Sequence, residues 1–221
     1  MKIKEHYLHP KSLDEAKIIQ QELVKKIIMQ EKINKVNYVA GVDVAFQDNY
    51  KITKAAIAVL KFPSLELVES QTALIPTTFP YIPNFLSFRE IPALLKAIEK
   101  LTIIPDIILC DGQGIAHPRR LGIASHLGIL LDCPTIGVAK SLLIGKHEEV
   151  ASEKGSWQPL IDKGELIGAV LRSRKNVKPI YVSIGHKISL PTALDYVMAC
   201  LTKYRLPETT RWADKLASSH N

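Results

Sequence analysis

From Ser12 onward the apolar positions recur three and four apart. Ala16, Ile19, Leu23 and Ile27 share one helical face to about Met29, and Ser12 with Glu15 forms a capping box at its start. From Tyr38 the period becomes two. Tyr38–Phe46, Ala55–Phe62 and Leu65–Leu74 are apolar, β-branched runs separated by Asp48–Asn49 and Pro63–Ser64, which predicts three antiparallel strands joined by tight turns. A Pro-rich loop, Pro76 to Pro83, precedes a helix predicted from about Ile91 to Leu101, with Pro92 in its first turn where a missing N–H costs little. Asp106–Cys110 and Thr135–Ala139 are short continuous apolar runs, as expected of strands buried on both faces. A helix over Leu121–Leu131 lies between them. Leu166–Arg172 and Ile180–Ile184 read as a closing hairpin, followed by helices near Thr192–Tyr204 and Thr209–Ser218. Three antiparallel strands followed by alternating helices and strands describe an α/β fold: a mixed sheet flanked by helices on both faces.

The chain's 221 residues favour one domain with a substantial core, and no repeat, low-complexity tract or linker marks a boundary. Hydrophobic residues at 47% and charged residues at 23% exclude a disordered or collagen-like protein. The net charge of +7 is unevenly placed, +2 over residues 1–110 and +5 over residues 111–221. Between Glu165 and Asp195 no acidic residue occurs, while Arg172, Arg174, Lys175, Lys178 and Lys187 do. Polyanions become plausible partners, although a solvated surface gives such a run as well. Cys110, Cys133 and Cys200 are widely spaced and odd in number, which argues against a disulfide framework or a zinc site and fits a reducing cytoplasm. No apolar run approaches the length of a membrane span, and the start of the chain is charged where a secretory signal turns apolar.

Several carboxylates stand in unusual places. Asp43 interrupts the apolar strand Val39–Ala45, where it is costly unless a cation or several donors hold it; a hydrogen-bonded structural Asp is the plain alternative. Asp111 ends the run Ile107–Cys110, at the strand end where α/β sheets collect ligands, and Gly112-Gln113-Gly114 follows it; a turn-forming Asp is equally open. Ser87-Phe88-Arg89-Glu90 matches a capping box, so Glu90 reads first as a helix cap. Asp214 reads first as an exposed helical Asp paired with Lys. Two carboxylates on core strands repel unless a divalent cation sits between them, and hard oxygen donors without a Cys or His cluster suit Mg²⁺, with Mn²⁺ able to substitute. If Asp111 binds metal, His117, Arg119 and Arg120 come close to a scissile phosphate; a solvated loop His is the alternative. His126, on an apolar helix, reads as a buried residue satisfied by its neighbours. Lys140 ends a buried strand at the same edge as Asp111, or snorkels to solvent.

Taken together these segments resemble the endonuclease V family, deoxyinosine-directed repair nucleases with a ribonuclease H-like fold. The resemblance rests on Gly41-Val42-Asp43-Val44-Ala45, Pro80-Tyr81-Ile82-Pro83, Phe88-Arg89-Glu90, Asp111-Gly112-Gln113-Gly114, His117-Pro118-Arg119 with Ser125-His126-Leu127-Gly128, and Gly137-Val138-Ala139-Lys140-Ser141, in family order. It implies Asp43, Glu90 and Asp111 as metal carboxylates, His117 and Lys140 in catalysis, and Asp214 at a position that varies between Asp and His. It also implies hydrolysis of the second phosphodiester bond 3′ to the lesion, leaving a 3′-hydroxyl and a 5′-phosphate. Pro80, Tyr81, Ile82 and Pro83 would then be a stiff loop whose ring fills the space of an extruded base, where composition alone allows a packed turn. The base pocket would be formed around Gly112 and Gly114, with Leu86 and Ile123 as walls and Arg119 beside it. The expected partners are DNA containing deoxyinosine and, alternatively, inosine-containing RNA, bound by a cytoplasmic monomer. The rivals are a non-catalytic inosine-binding module, which needs Tyr81 but not Asp43 and Glu90, and a general ribonuclease H-like nuclease or resolvase, which needs the carboxylates but not the Tyr81 loop.

Overall fold

The computed structural model of the chain describes residues 7–33 and 35–219. An opening helix α1 (Leu13–Val24) leads to β1 (Tyr38–Gln47), β2 (Ile52–Lys61) and β3 (Glu66–Pro76). Then come α2 (Leu86–Ile98), β4 (Ile107–Asp111), α3 (Ile123–Leu131) and β5 (Thr135–Ala139). The remaining elements are β6 (Trp157–Asp162), β7 (Glu165–Leu171), β8 (Ile180–His186), α4 (Leu190–Ala199) and α5 (Glu208–Ser218). All eight strands lie in one sheet, ordered β3-β2-β1-β4-β5-β8-β7-β6. The first three pair antiparallel, β1, β4 and β5 pair parallel, and β8, β7 and β6 continue antiparallel. This is the mixed sheet that the change of period predicts.

Alternation along the central strands divides the core in two. Ala40, Val42, Ile108 and Cys110 point to the face covered by α1, α2 and α3, where Leu23, Phe88, Leu94 and Leu127 are fully buried. Val39, Ile107 and Leu109 point to the face covered by α4 and α5. Burying each such Leu or Ile contributes about 1.5–3 kcal/mol relative to exposure, so both helical layers are firmly held. On the second face a Cβ at Gly41 would lie 2.0 Å from the Thr209 carbonyl oxygen, so glycine lets α5 rest directly on the backbone of β1.

The departures from the sequence reading have local causes. Helix α1 ends at Val24 instead of about Met29, because Lys26 and Ile27 fold back in a turn onto the carbonyls of Leu23 and Val24. Ser12 does cap it, accepting from the Glu15 N–H at 3.1 Å. Helix α2 starts at Leu86, ahead of the expected Ile91, so Pro92 sits inside it and removes the bond to the Phe88 carbonyl. Strand β6 carries Pro159, which hides it from a pattern search and is tolerated because β6 is an edge. The expected hairpin of β7 and β8 forms, with Val170 opposite Tyr181, but β8 joins β5 and β6 takes the sheet edge. Helix α4 stops at Ala199, short of Tyr204.

Three members of the basic run after Glu165 are engaged within the fold. Arg172 donates to the carbonyls of Val150 and Val177 at 2.6 Å and of Ala151 at 3.0 Å. Lys187 pairs with Asp132 at 2.7 Å and Lys175 with Glu153 at 2.9 Å. Arg172 therefore ties loops together instead of waiting for phosphate.

Candidate active site

The parallel pairing of β1 with β4 matches Val42 to Cys110, which brings Asp43 and Asp111 side by side one step further on. Both fall in step with the residues facing α4 and α5, and α5 lays Asp214 over the same point. Asp43, Asp111 and Asp214 each place a carboxylate oxygen within 4.8 Å of the others. Glu90 comes from α2 on the opposite face and meets Asp43 and Asp111 across a cavity of about 30 Å³, walled by Val42, Val44, Leu94, Cys110 and Ile123. The capping role read for Glu90 is not what forms: Phe85 is the N-cap of α2, and Ser87, already inside the helix, shares a 3.0 Å hydrogen bond with Nδ1 of the buried His126.

Crowding is visible in the protonation of these acids. Burial, then the charge of Asp111, pushes the Asp43 pKa up to about 7, against the help of the Val44 N–H, which donates to Oδ1 at 2.8 Å. Burial, then Asp43 and Asp111, pushes Glu90 up to about 8, with only Arg89 acting the other way. Lys140 Nζ stands 2.5 Å from Asp111 Oδ2 and 3.8 Å from Asp214 Oδ1. Burial opposes its ammonium, but the hydrogen bond and charge of Asp111, with Asp43 and Asp214, raise its pKa. One ammonium cannot neutralise four carboxylates. The donors are hard oxygens without a thiolate or imidazole among them, and this set fits a hard divalent cation.

Beside the carboxylates lies a second cavity of about 190 Å³, lined by Leu86, Glu90, Asp111, Gly112, His117 and Ile123 among others. Leu86, Gly112 and Ile123 thus line one space. Gly114 does not: its N–H donates to Ser183 Oγ at 2.8 Å, and a Cβ there would lie 2.0 Å from the Ile184 carbonyl oxygen, so it is a glycine for packing against β8. His117 lines the cavity in a buried position, and burial, then the charge of Arg119, pulls its pKa down to about 4. It is a neutral imidazole at ordinary pH. Arg119 and Arg120 are drawn away from the role of phosphate contacts. Arg119 bonds the Gln20 side chain and the Asn84 carbonyl (2.8 Å) and stacks on Phe85; Arg120 pairs with Glu165 at 2.7 Å and Asp162 at 2.8 Å.

The Pro80–Pro83 loop stands clear of the sheet with Tyr81 69% exposed, while Ile82 packs against the core below and accepts the Phe85 N–H through its carbonyl at 3.0 Å. The ring projects and the next side chain anchors it. Arg205 is a residue that sequence reasoning missed. Its guanidinium donates to the carbonyls of Lys140 (2.7 Å), Lys178 and Pro179 (2.8 Å each), and so holds the backbone that carries the Lys140 amine. Its acceptors lie 26 to 65 residues away, beyond any local signal.

Comparison with known proteins gives consistent matches. The sequence profile described as Endonuclease V matches residues 21–215. An endonuclease V of Rippkaea orientalis is 77% identical over 219 residues, covering 99% of this chain and 96% of that protein. The crystal structure of a Streptomyces avermitilis endonuclease V superposes with a TM-score of 0.91 at 42% identity, covering 97% of this chain and 94% of that one. A Ciona intestinalis endonuclease V, in complex with a 24mer DNA containing an inosine followed by a ribo-adenosine, superposes with a TM-score of 0.80 at 34% identity, covering 92% and 95%.

Proposed function

The chain belongs to the endonuclease V family and is a nuclease, and on that premise we propose that it is a Mg²⁺-dependent enzyme that recognises deoxyinosine in DNA and hydrolyses the second phosphodiester bond 3′ to it. The products would carry a 3′-hydroxyl and a 5′-phosphate. The observation that carries this reading is the adjacency of two things: a group of carboxylates with one ammonium, and a 190 Å³ cavity sharing Glu90 and Asp111 with it. A base extruded into the cavity would leave its own strand lying over the carboxylates. Asp43, Asp111 and Asp214, with Glu90 from the other face, would hold Mg²⁺, or Mn²⁺ in its place. Held by these carboxylates, such a cation would supply a lowered pKa for an attacking water and charge compensation in the in-line transition state. Lys140 adds a positive charge beside Asp111 that favours the departing phosphate oxygen. Leu86 and Ile123 shape the cavity, and neutral His117 can hydrogen-bond there without charge. Tyr81, held by Pro80, Pro83 and the half-buried Ile82, would replace the lost stacking in the duplex.

We read residues 1–221 as one nuclease domain acting as a cytoplasmic monomer. In support, the eight strands form one sheet, the three cysteines are free, and among the described residues no helix is long and apolar enough to cross a membrane. Inosine-containing RNA is the second substrate to test, because the Ciona relative was crystallised on inosine followed by a ribonucleotide. The experiment is to incubate the protein with Mg²⁺ and duplexes carrying or lacking one deoxyinosine, or one inosine in RNA, and to map each nick. A nick at the second bond 3′ to deoxyinosine supports the reading. Cutting of both duplexes points to a general nuclease, and binding without cutting to an inosine-binding module.

A further inference from the structure

A groove of about 400 Å³ runs along α5, lined by Leu206, Glu208, Arg211, Trp212, Asp214 and Lys215. Asp214 is shared, since it lines the groove and also stands within 4.8 Å of Asp43 and Asp111. Asp111 in turn lines the 190 Å³ cavity. Cavity, carboxylates and groove therefore form one continuous track. Within the groove one ring stands beside cations: Lys215 Nζ lies 5.0 Å from the Trp212 ring centroid, and Arg211, another lining residue, stacks on the neighbouring Tyr204 ring at 3.2 Å. Glu208 is neutralised by Arg211 at 2.8 Å. Lys215 remains as the cation of the groove lining, and the carboxylate of Asp214 belongs to the cluster at its end.

A ring with a cation beside it suits an unpaired nucleic-acid strand, because the ring stacks on any base and the cation meets a phosphate. We propose that this groove holds the strand on the 3′ side of the scissile phosphate. The inference rests on the reading that the cut falls 3′ to a base held in the cavity. With the base in the cavity and the phosphate at the carboxylates, the strand that continues away from the lesion meets Asp214 and then Trp212.

The test uses fluorescent single strands with one deoxyinosine that differ only in how far they extend 3′ of the cut, about one nucleotide or about eight, bound in Ca²⁺ to hold the carboxylates without turnover. Wild type binds the longer strand about tenfold tighter, and Trp212→Ala and Lys215→Ala each erase most of that gain. Strands extended on the 5′ side instead show the same affinity in the variants as in wild type. Trp212 also packs on the core under α5, so Trp212→Phe, which keeps a ring, controls for packing and retains the gain. The groove assignment is overturned if wild type gains nothing from the added 3′ nucleotides, or if Trp212→Ala loses equally with short and long strands. Failure of the nuclease reading would appear separately, as wild type that does not nick deoxyinosine strands in Mg²⁺, because the length dependence is read without cutting.

Discussion

The Lys140 ammonium stands 2.5 Å from Asp111 and 3.8 Å from Asp214, so the residue that follows β5 supplies a cation facing the same point as the oxygens of the carboxylate cluster. On the proposed function it would play two opposed parts, competing with a divalent cation for the carboxylates and favouring charge on a phosphate. Lys140→Met separates them. Nicking should fall by about a hundredfold or more, the usual loss on removing a positioned charge-stabilising or proton-transferring group, while calorimetry should find divalent cation binding undiminished or tighter. Weaker metal binding would assign Lys140 to the fold of the site instead.

Asp43→Asn and Asp111→Asn should bring nicking down to background while leaving the fold intact. Each removes a charge that the cation, not the core, requires, and metal-free melting temperature should hold or rise as repulsion is relieved. Glu90→Gln is the sharper case. Because Phe85 and not a side chain of the Ser87–Glu90 segment caps α2, the substitution has no cap to break. Activity should collapse without a fall in melting temperature, and a destabilised but fully active variant would remove Glu90 from the metal site.

The crowded carboxylates should make the metal-free protein alkali-sensitive. Asp43 and Glu90 hold protons up to about pH 7 and 8 in the folded chain, above the range where an unfolded carboxyl loses them. The folded state then binds more protons than the unfolded one through that window. This contribution to stability is complete in acid, below the unfolded values, and is lost as pH rises through the folded ones. Melting in EDTA should therefore drop between about pH 5 and pH 9, and Mg²⁺ should restore most at the alkaline end. A melting temperature that climbs over that interval without metal would contradict the arrangement.

Tyr81→Ala should weaken binding to deoxyinosine duplexes in Ca²⁺ by about 1–3 kcal/mol, roughly fivefold to a hundredfold, since the exposed ring is available for stacking. Tyr81→Phe should keep most of the affinity, because stacking uses the ring face. Equal binding by all three proteins would leave discrimination to the cavity alone.

Arg172→Ala should lower stability by about 1–3 kcal/mol, as three backbone carbonyls lose a charged donor. The salt dependence of DNA binding should stay as in wild type, because the guanidinium is already engaged. A flattened slope of log affinity against log salt would instead return Arg172 to the list of phosphate contacts.

The strand carboxylates were legible because a charge inside an apolar run is a contradiction that a local window contains, and the register of β1 on β4 then makes Asp43 and Asp111 neighbours. Glu90 was locally ambiguous: the same four residues satisfy a cap pattern, and only the earlier start of α2 decides against it. Arg119, Arg120, Arg172 and Arg205 look alike in sequence. What distinguishes them is a set of acceptors contributed by remote segments, so their roles appear only once the chain is folded. The same holds for Gly114, whose need for glycine arises from the Ile184 carbonyl on a strand formed much later.

The contact of α5 with Gly41 also ties the two ends of the chain order together at the site. Asp43 lies on the first strand and Asp214 on the last helix described, and that helix can settle only where the glycine leaves room for Thr209. In chain order all eight strands precede α5. Until α5 docks, the oxygen cluster lacks one corner and the groove beside it does not exist. The docking of one late helix on one early glycine thus decides whether the cluster is complete, so a bulky residue at position 41 would disarm the site without touching any of its carboxylates.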